Sequence, residues 1–163
     1  MENQEILSSS KLIIYWVKIW RKYGEGSVNK YKEGVIKVPV QCAELKINHG
    51  IVGDAHAGNW HRQISLLGKE SIDKMKMKGF DQLKYGDFAE NVTTEGIEVF
   101  SLPVGTKLRI GQCEVEVTQI GKKCHNGCEI KKLTGDCVMP REGIFVKVLK
   151  EGIINVNDSI DVI

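Results

Sequence analysis

The densest chemistry in the chain runs Lys122-Lys123-Cys124-His125-Asn126-Gly127-Cys128, with Cys137 a little further on. Two lysines before Cys124 and an imidazole after it favour the thiolate electrostatically, and the thiolate is the nucleophilic and metal-binding form of cysteine. Cys124 is thus the candidate nucleophile or metal ligand, and Cys128 and Cys137 are candidate resolving thiols. Zinc is the competing chemistry, because Cys124, His125, Cys128 and Cys137 are all zinc-ligand types. Structural zinc motifs more often pair C-x2-C with a matching second pair, whereas Cys124 and Cys128 are spaced C-x3-C. Adjacent Cys124 and His125 would also be awkward joint ligands. Haem attachment needs Cys-x-x-Cys-His, and the order here is wrong.

Three further clusters carry polar chemistry. In Gly53-Asp54-Ala-His56-Ala-Gly-Asn-Trp-His61-Arg62, the residues Asp54, His56 and His61 are possible metal ligands, and the flanking glycines imply a loop with close backbone approach. Arg62 offers a planar fork for a phosphate or another oxyanion. In residues 86–96, Asn91, Thr93 and Thr94 are neutral hydrogen-bonding groups suited to a polar ligand, although the same stretch also reads as a simple turn. In residues 135–143, Arg141 is a second oxyanion candidate.

These side chains need a scaffold, and the composition limits its kind. The chain has 163 residues, 42% of them hydrophobic and 27% charged, which fits one folded domain and excludes a disordered or collagen-like chain. The net charge of +2 is too even for a dedicated nucleic-acid binder. Five cysteines cannot pair completely. The start carries glutamates and no basic residue, unlike a secretory signal, so a reducing cytoplasm is the expected compartment.

Seventeen glycines punctuate short β-type runs. Strands are predicted over residues 35–40, 43–47, 63–67, 88–93, 144–149 and 160–163, and a hairpin over 107–110 and 113–120. In its second arm Cys113, Val115 and Val117 face one way, and Glu114, Glu116 and Thr118 the other. Residues 68–77 are the best helix, with Ile72 and Met75 on one side, a Glu70–Lys74 pair, and Gly79 as the stop. This pattern is mainly β, a small barrel or sandwich rather than a doubly wound sheet.

Residues 1–33 read as an N-terminal extension, an apolar arm followed by a glycine-rich linker, and residues 34–163 as the β-barrel domain. The arm, residues 11–20, has eight apolar residues, under half of the about 20 that a span needs, and is interrupted by Lys18. It is expected to dock as a strand or helix on the domain or on a second subunit, the latter giving a homodimer. An interfacial helix with Lys11, Lys18, Arg21 and Lys22 near headgroups is the alternative, and membrane association is not expected.

In order and spacing the clusters resemble the MOSC domain, the module at the C-terminus of molybdenum-cofactor sulfurases. The matching pieces are Gly50-Ile-Val-Gly-Asp54, Arg62-Gln-Ile-Ser-Leu-Leu67, Phe88-Ala-Glu-Asn-Val-Thr-Thr-Glu-Gly96, Leu102-Pro-Val-Gly-Thr-Lys-Leu-Arg-Ile-Gly111 and Val115-Glu-Val-Thr118, leading to Lys123-Cys124. The closing residues 152–163 look like the family's final strand pair. The resemblance implies a strongly bent, mixed and largely antiparallel barrel with a few short helices. It also implies molybdenum cofactor, an anionic pterin whose metal is ligated by the cysteine after the long hairpin, the place held by Cys124. Arg62, Asn91, Thr93, Lys122, Lys123, His125 and Arg141 would form the cradle for its phosphate and pterin.

The relatives implied are small stand-alone bacterial proteins, some proposed as sulfur carriers, and amidoxime-reducing enzymes that act on N-hydroxylated compounds. An electron-donor or sulfur-donor protein is then the expected partner. The pyridoxal-phosphate site of the fused sulfurases belongs to a separate domain and is not expected in this chain. Compared with the larger reductases, the chain lacks their N-terminal domain and adds Cys128 and Cys137. That addition leaves room for a persulfide relay.

Overall fold

A computed structural model describes residues 16–21, 37–123 and 129–163. In chain order the elements are β1 (Trp16–Arg21), β2 (Val38–Val40), β3 (Cys42–Lys46), β4 (Gly50–Ile51), β5 (Ile64–Gly68), α1 (Lys69–Met77), β6 (Val92–Glu95), a 3-10 turn (Val99–Ser101), β7 (Lys107–Ile110) and β8 (Cys113–Ile120). They continue with α2 (Glu129–Thr134), α3 (Met139–Glu142), β9 (Ile144–Lys150), β10 (Gly152–Asn155) and β11 (Ile160–Val162). One sheet runs β11-β7-β8-β9-β5-β6-β1-β2 and a second runs β10-β3-β4. Among the described residues only β5 and β6 pair in parallel; the other ladders are antiparallel.

Both sheets bury side chains in one core. Leu45 of β3 and Ile154 of β10 join Leu66 of β5, Val92 of β6, Val115 of β8 and Val146 of β9, all without solvent exposure. Two sheets wrapped around a shared core make the strongly bent mixed barrel that the family resemblance implies. Each of these side chains contributes on the order of 1.5–3 kcal/mol of transfer free energy. A second cluster outside the barrel, including Leu67, Ile72, Met75, Cys137 and Phe145, seats the helices.

The 107–120 hairpin forms as expected: Cys113, Val115 and Val117 are buried, while Glu114, Glu116 and Thr118 alternate outward. Residues 16–21 of the arm dock in the same chain as β1, between β6 and β2, with Ile19 buried in the core. The main sheet therefore draws a strand from ahead of residue 34. No helix among the described residues is long and apolar enough to cross a membrane.

Two local expectations are corrected. Glu70 and Lys74 do not pair: Glu70 accepts from the Gly96 N–H at 2.7 Å and Lys74 reaches Glu142 at 3.2 Å, while Lys69 and Asp73 make the four-spaced bridge at 2.7 Å. The strand expected from residue 88 begins only at Val92. Ala89 sits at φ 65 and Glu90 Oε1 accepts from the Gly86 N–H at 2.5 Å, which folds residues 86–90 into a turn.

Candidate functional site

The loop between β4 and β5 is fixed from both ends. Trp60 Nε1 donates to the His56 carbonyl at 3.0 Å, and Gly58 N–H donates to the His49 carbonyl at 2.7 Å. On the other side, the Thr118 hydroxyl meets the His61 carbonyl, and the His61 ring bonds Gln119 Oε1 at 3.0 Å. The loop thereby rests on the outer end of β8, and Arg62 is delivered beside the point where β8 exits towards Cys124.

Gly121 marks that exit. Its φ of +71 lies in the left-handed region, and a Cβ there would run into the Pro140 carbonyl oxygen. Only glycine lets the chain pass α3 so closely. Its N–H donates to the Gly143 carbonyl at 2.6 Å.

Arg62 is half-buried and forms no ion pair with any described residue. Its guanidinium lies 4.8 Å from the Trp60 ring centroid and 5.8 Å from that of Phe145. The Nε is buried with no hydrogen-bond partner. Aromatic faces hold the fork in place and leave its charge unneutralised. Arg62 lines a cleft together with Lys37, Lys122 and His56, and with apolar Phe88, Met139 and Phe145. Three cations at one concave, partly apolar site form an anion-binding arrangement.

The cleft wall includes a buried polar bracket. The Ser65 N–H donates to Asn91 Oδ1 at 3.1 Å, the Asn91 N–H donates to the Ser65 carbonyl at 2.9 Å, and Asn91 Nδ2 donates to Asp54 Oδ2 at 3.0 Å. The other Asp54 oxygen accepts from the His56 N–H at 2.9 Å and lies 3.6 Å from the His56 ring. Asn91 thus ties β5 to the loop that carries His56 and Arg62.

Glu90 is the second buried acid. Its Oε1 accepts from Gly86 and, at 2.9 Å, from the Thr93 hydroxyl, while Oε2 has no hydrogen-bond partner. Burial raises its pKa above the ordinary 4.5, against the opposing pull of these hydrogen bonds and of the Lys37 charge. Between the ordinary and the raised value the folded protein holds a proton that the unfolded chain releases. This contribution to stability is therefore present below the ordinary value and lost as pH rises through the folded one. Urea melts from about pH 4 to about pH 8 should show native protein losing stability with rising pH relative to Glu90→Gln. Parallel curves would clear Glu90 of the effect.

Of the expected site residues, the cleft gathers Arg62, Asn91 and Lys122. Lys123 is exposed beside it. Thr93 is buried on β6 and does not line the cleft. Arg141 stands apart as well: its fork grips Asp136 at 2.9 and 3.0 Å and holds that carboxyl well below the usual range. Its oxyanion-binding capacity is already used within the chain. Cys137 is buried among the side chains that seat the helices.

Cys124, His125 and Cys128 lie outside the described residues. Among the described residues no three histidine, cysteine or acidic side chains group as a metal site. Lys37 was missed by the sequence reading. A lone lysine in a β-branched run reads as an outward alternate, yet it is only 6% exposed.

The fold and the site together define the class: a mixed β-barrel domain bearing a cationic, aromatic-walled cleft. The chain belongs to the MOSC domain family, whose profile matches residues 53–161. Its fold is similar to that of the YuaD protein from Bacillus subtilis, with a TM-score of 0.67 at 17% identity over 91% of this chain and 96% of that one. YiiM from Geobacillus stearothermophilus gives a TM-score of 0.63 at 18% identity over 90% of this chain and 73% of that one. YiiM from Escherichia coli gives 0.62 at 17% identity, over 93% and 70%. A comparison with curated proteins gives no match.

Proposed function

We propose that the cleft binds molybdenum cofactor, the group with which the MOSC family is associated, and that the Cys124 thiolate ligates the metal. The observation that carries this reading is Arg62, a guanidinium stacked on aromatic rings beside two cleft lysines, with no carboxylate among the described residues to neutralise it. The donor set fits the group: Lys37, Arg62 and Lys122 would hold its phosphate and the anionic edge of the pterin, and Phe88, Met139 and Phe145 would exclude water from its flat faces. When bound, the cofactor supplies a metal centre for two-electron reduction, with N-hydroxylated compounds as the substrate class. The chain contributes orientation and charge. Arg62 fixes the anionic end through a planar fork, and the Asn91 bracket keeps the Arg62 loop in register with β5.

The test is molybdenum and pterin content per chain, measured on protein made in a host that supplies the cofactor. Native protein should carry both, and Cys124→Ser should lose most of the molybdenum. Equal molybdenum in the two forms would remove Cys124 as the ligand. Protein without molybdenum that gains a reductant-labile mass of about 32 Da from a sulfur-donor enzyme would instead be a persulfide carrier. Stoichiometric zinc with unfolding by chelator would make it a zinc-stapled module.

A further inference from the structure

One local excess of positive charge lies beside the cleft. Residues 122–133 hold four lysines and one glutamate, a local excess larger than the +2 of the whole chain. Lys122, Lys123, Lys131 and Lys132 are all exposed, and none pairs with a described carboxylate. Elsewhere Lys46, Lys69, Lys74, Lys78 and Lys147 do pair with acids, as in Lys69–Asp73 at 2.7 Å and Lys147–Glu116 at 3.1 Å. The acids that follow α2 are already taken: Asp136 by Arg141 and Lys78, and Glu142 by Lys74.

The position of α2 gives this charge a direction. Ile130 is buried in the cluster that includes Phe88, Met139 and Phe145, and those three also line the cleft. The helix therefore packs behind the cleft wall. Lys131, Lys132 and Leu133 are exposed on its other side, Leu133 to 58%. Lys131 and Lys132 do not line the cleft, so a small anion bound there does not account for them. Exposed cations around an exposed leucine match a protein interface, in which opposite charge steers the encounter and apolar contact holds it.

We propose that Lys122, Lys123 and the outer side of α2 form a docking surface for a protein with an acidic face, which it places at the cleft. The proposal does not depend on what the cleft binds. The probe is a fluorescent glutamate-rich peptide with interspersed leucines, titrated with the full chain at low ionic strength.

Native protein should bind the peptide and lose affinity as salt rises. Lys131→Glu/Lys132→Glu should weaken binding by about tenfold or more, and the milder Lys131→Gln/Lys132→Gln by less. Lys107→Glu/Lys150→Glu makes the same charge change on β7 and β9 and should leave affinity within about threefold. Arg62→Gln should bind the peptide like native protein. The proposal fails if native protein does not bind, if the two charge-reversed variants weaken equally, if Arg62→Gln loses the peptide, or if a single-stranded oligonucleotide binds as tightly.

Discussion

Arg62→Gln should weaken binding of inorganic pyrophosphate, a probe for the phosphate-bearing end of a ligand, by roughly 10- to 150-fold. That range follows from about 1.5–3 kcal/mol for hydrogen bonds between charged groups, at about 1.4 kcal/mol per decade. The effect should be large because the guanidinium has no internal carboxylate among the described residues, so its charge is available to a ligand. Folding should lose far less. Removing the fork orphans no acid among the described residues, and the buried Nε already lacks a partner. What remains is the contact with Trp60 and Phe145, worth about 0.5–1 kcal/mol at a partly exposed site.

Arg62→Lys should fall between the two, since it keeps the charge and loses the planar two-point contact. Lys122→Gln removes an exposed charge and should cost less than Arg62→Gln. Calorimetric titration together with thermal melts separates these outcomes. If Arg62→Gln bound pyrophosphate like native protein and melted much lower, Arg62 would be a packing residue and the cleft would lose its central cation.

How far the sequence could be read depends on how local each cause is. The 107–120 hairpin was legible because alternation over eight residues leaves one register that buries Cys113, Val115 and Val117. The helix α1 was legible from Ile72, Met75 and the glycine stop, whereas its surface pairing was not. Glu70 and Lys74 find tertiary partners on the 3-10 side of the barrel and on α3, and no spacing rule anticipates those. The two-residue β4 is too short to carry a pattern, and β10 was visible only through the family resemblance of residues 152–163; it pairs with β3 and β11 with β7, so the two closing strands are not each other's partners.

The site shows the same division. The types and order of its residues were visible, but their convergence was not. Arg62 and Lys122 meet because Gly121 passes under Pro140 and because Thr118 holds the Arg62 loop. Both are long-range contacts. Arg141 has the same chemistry as Arg62, yet Asp136, five residues away, takes up its fork.

Asn91 tests whether a polar residue at a site serves the ligand or the fold. Asn91→Ala should cost about 3–5 kcal/mol, because it strips two buried groups at once. Ser65 N–H loses its side-chain acceptor, and Asp54, whose side chain is 1% exposed, loses a donor to a buried charge. For a chain of this size that is a fall in melting temperature on the order of 10 °C. Asn91→Asp separates the two losses. It keeps an acceptor for Ser65 but sets a second carboxylate against Asp54. Its stability should then rise as pH falls, once one proton bridges the pair, in contrast to Asn91→Ala. Pyrophosphate affinity of the residual folded Asn91→Ala should drop only as far as the Arg62 loop loosens. If Asn91→Ala instead melts within about 1 kcal/mol of native and loses binding outright, the amide faces the ligand, and the Ser65–Asn91–Asp54 bracket is not what holds the loop.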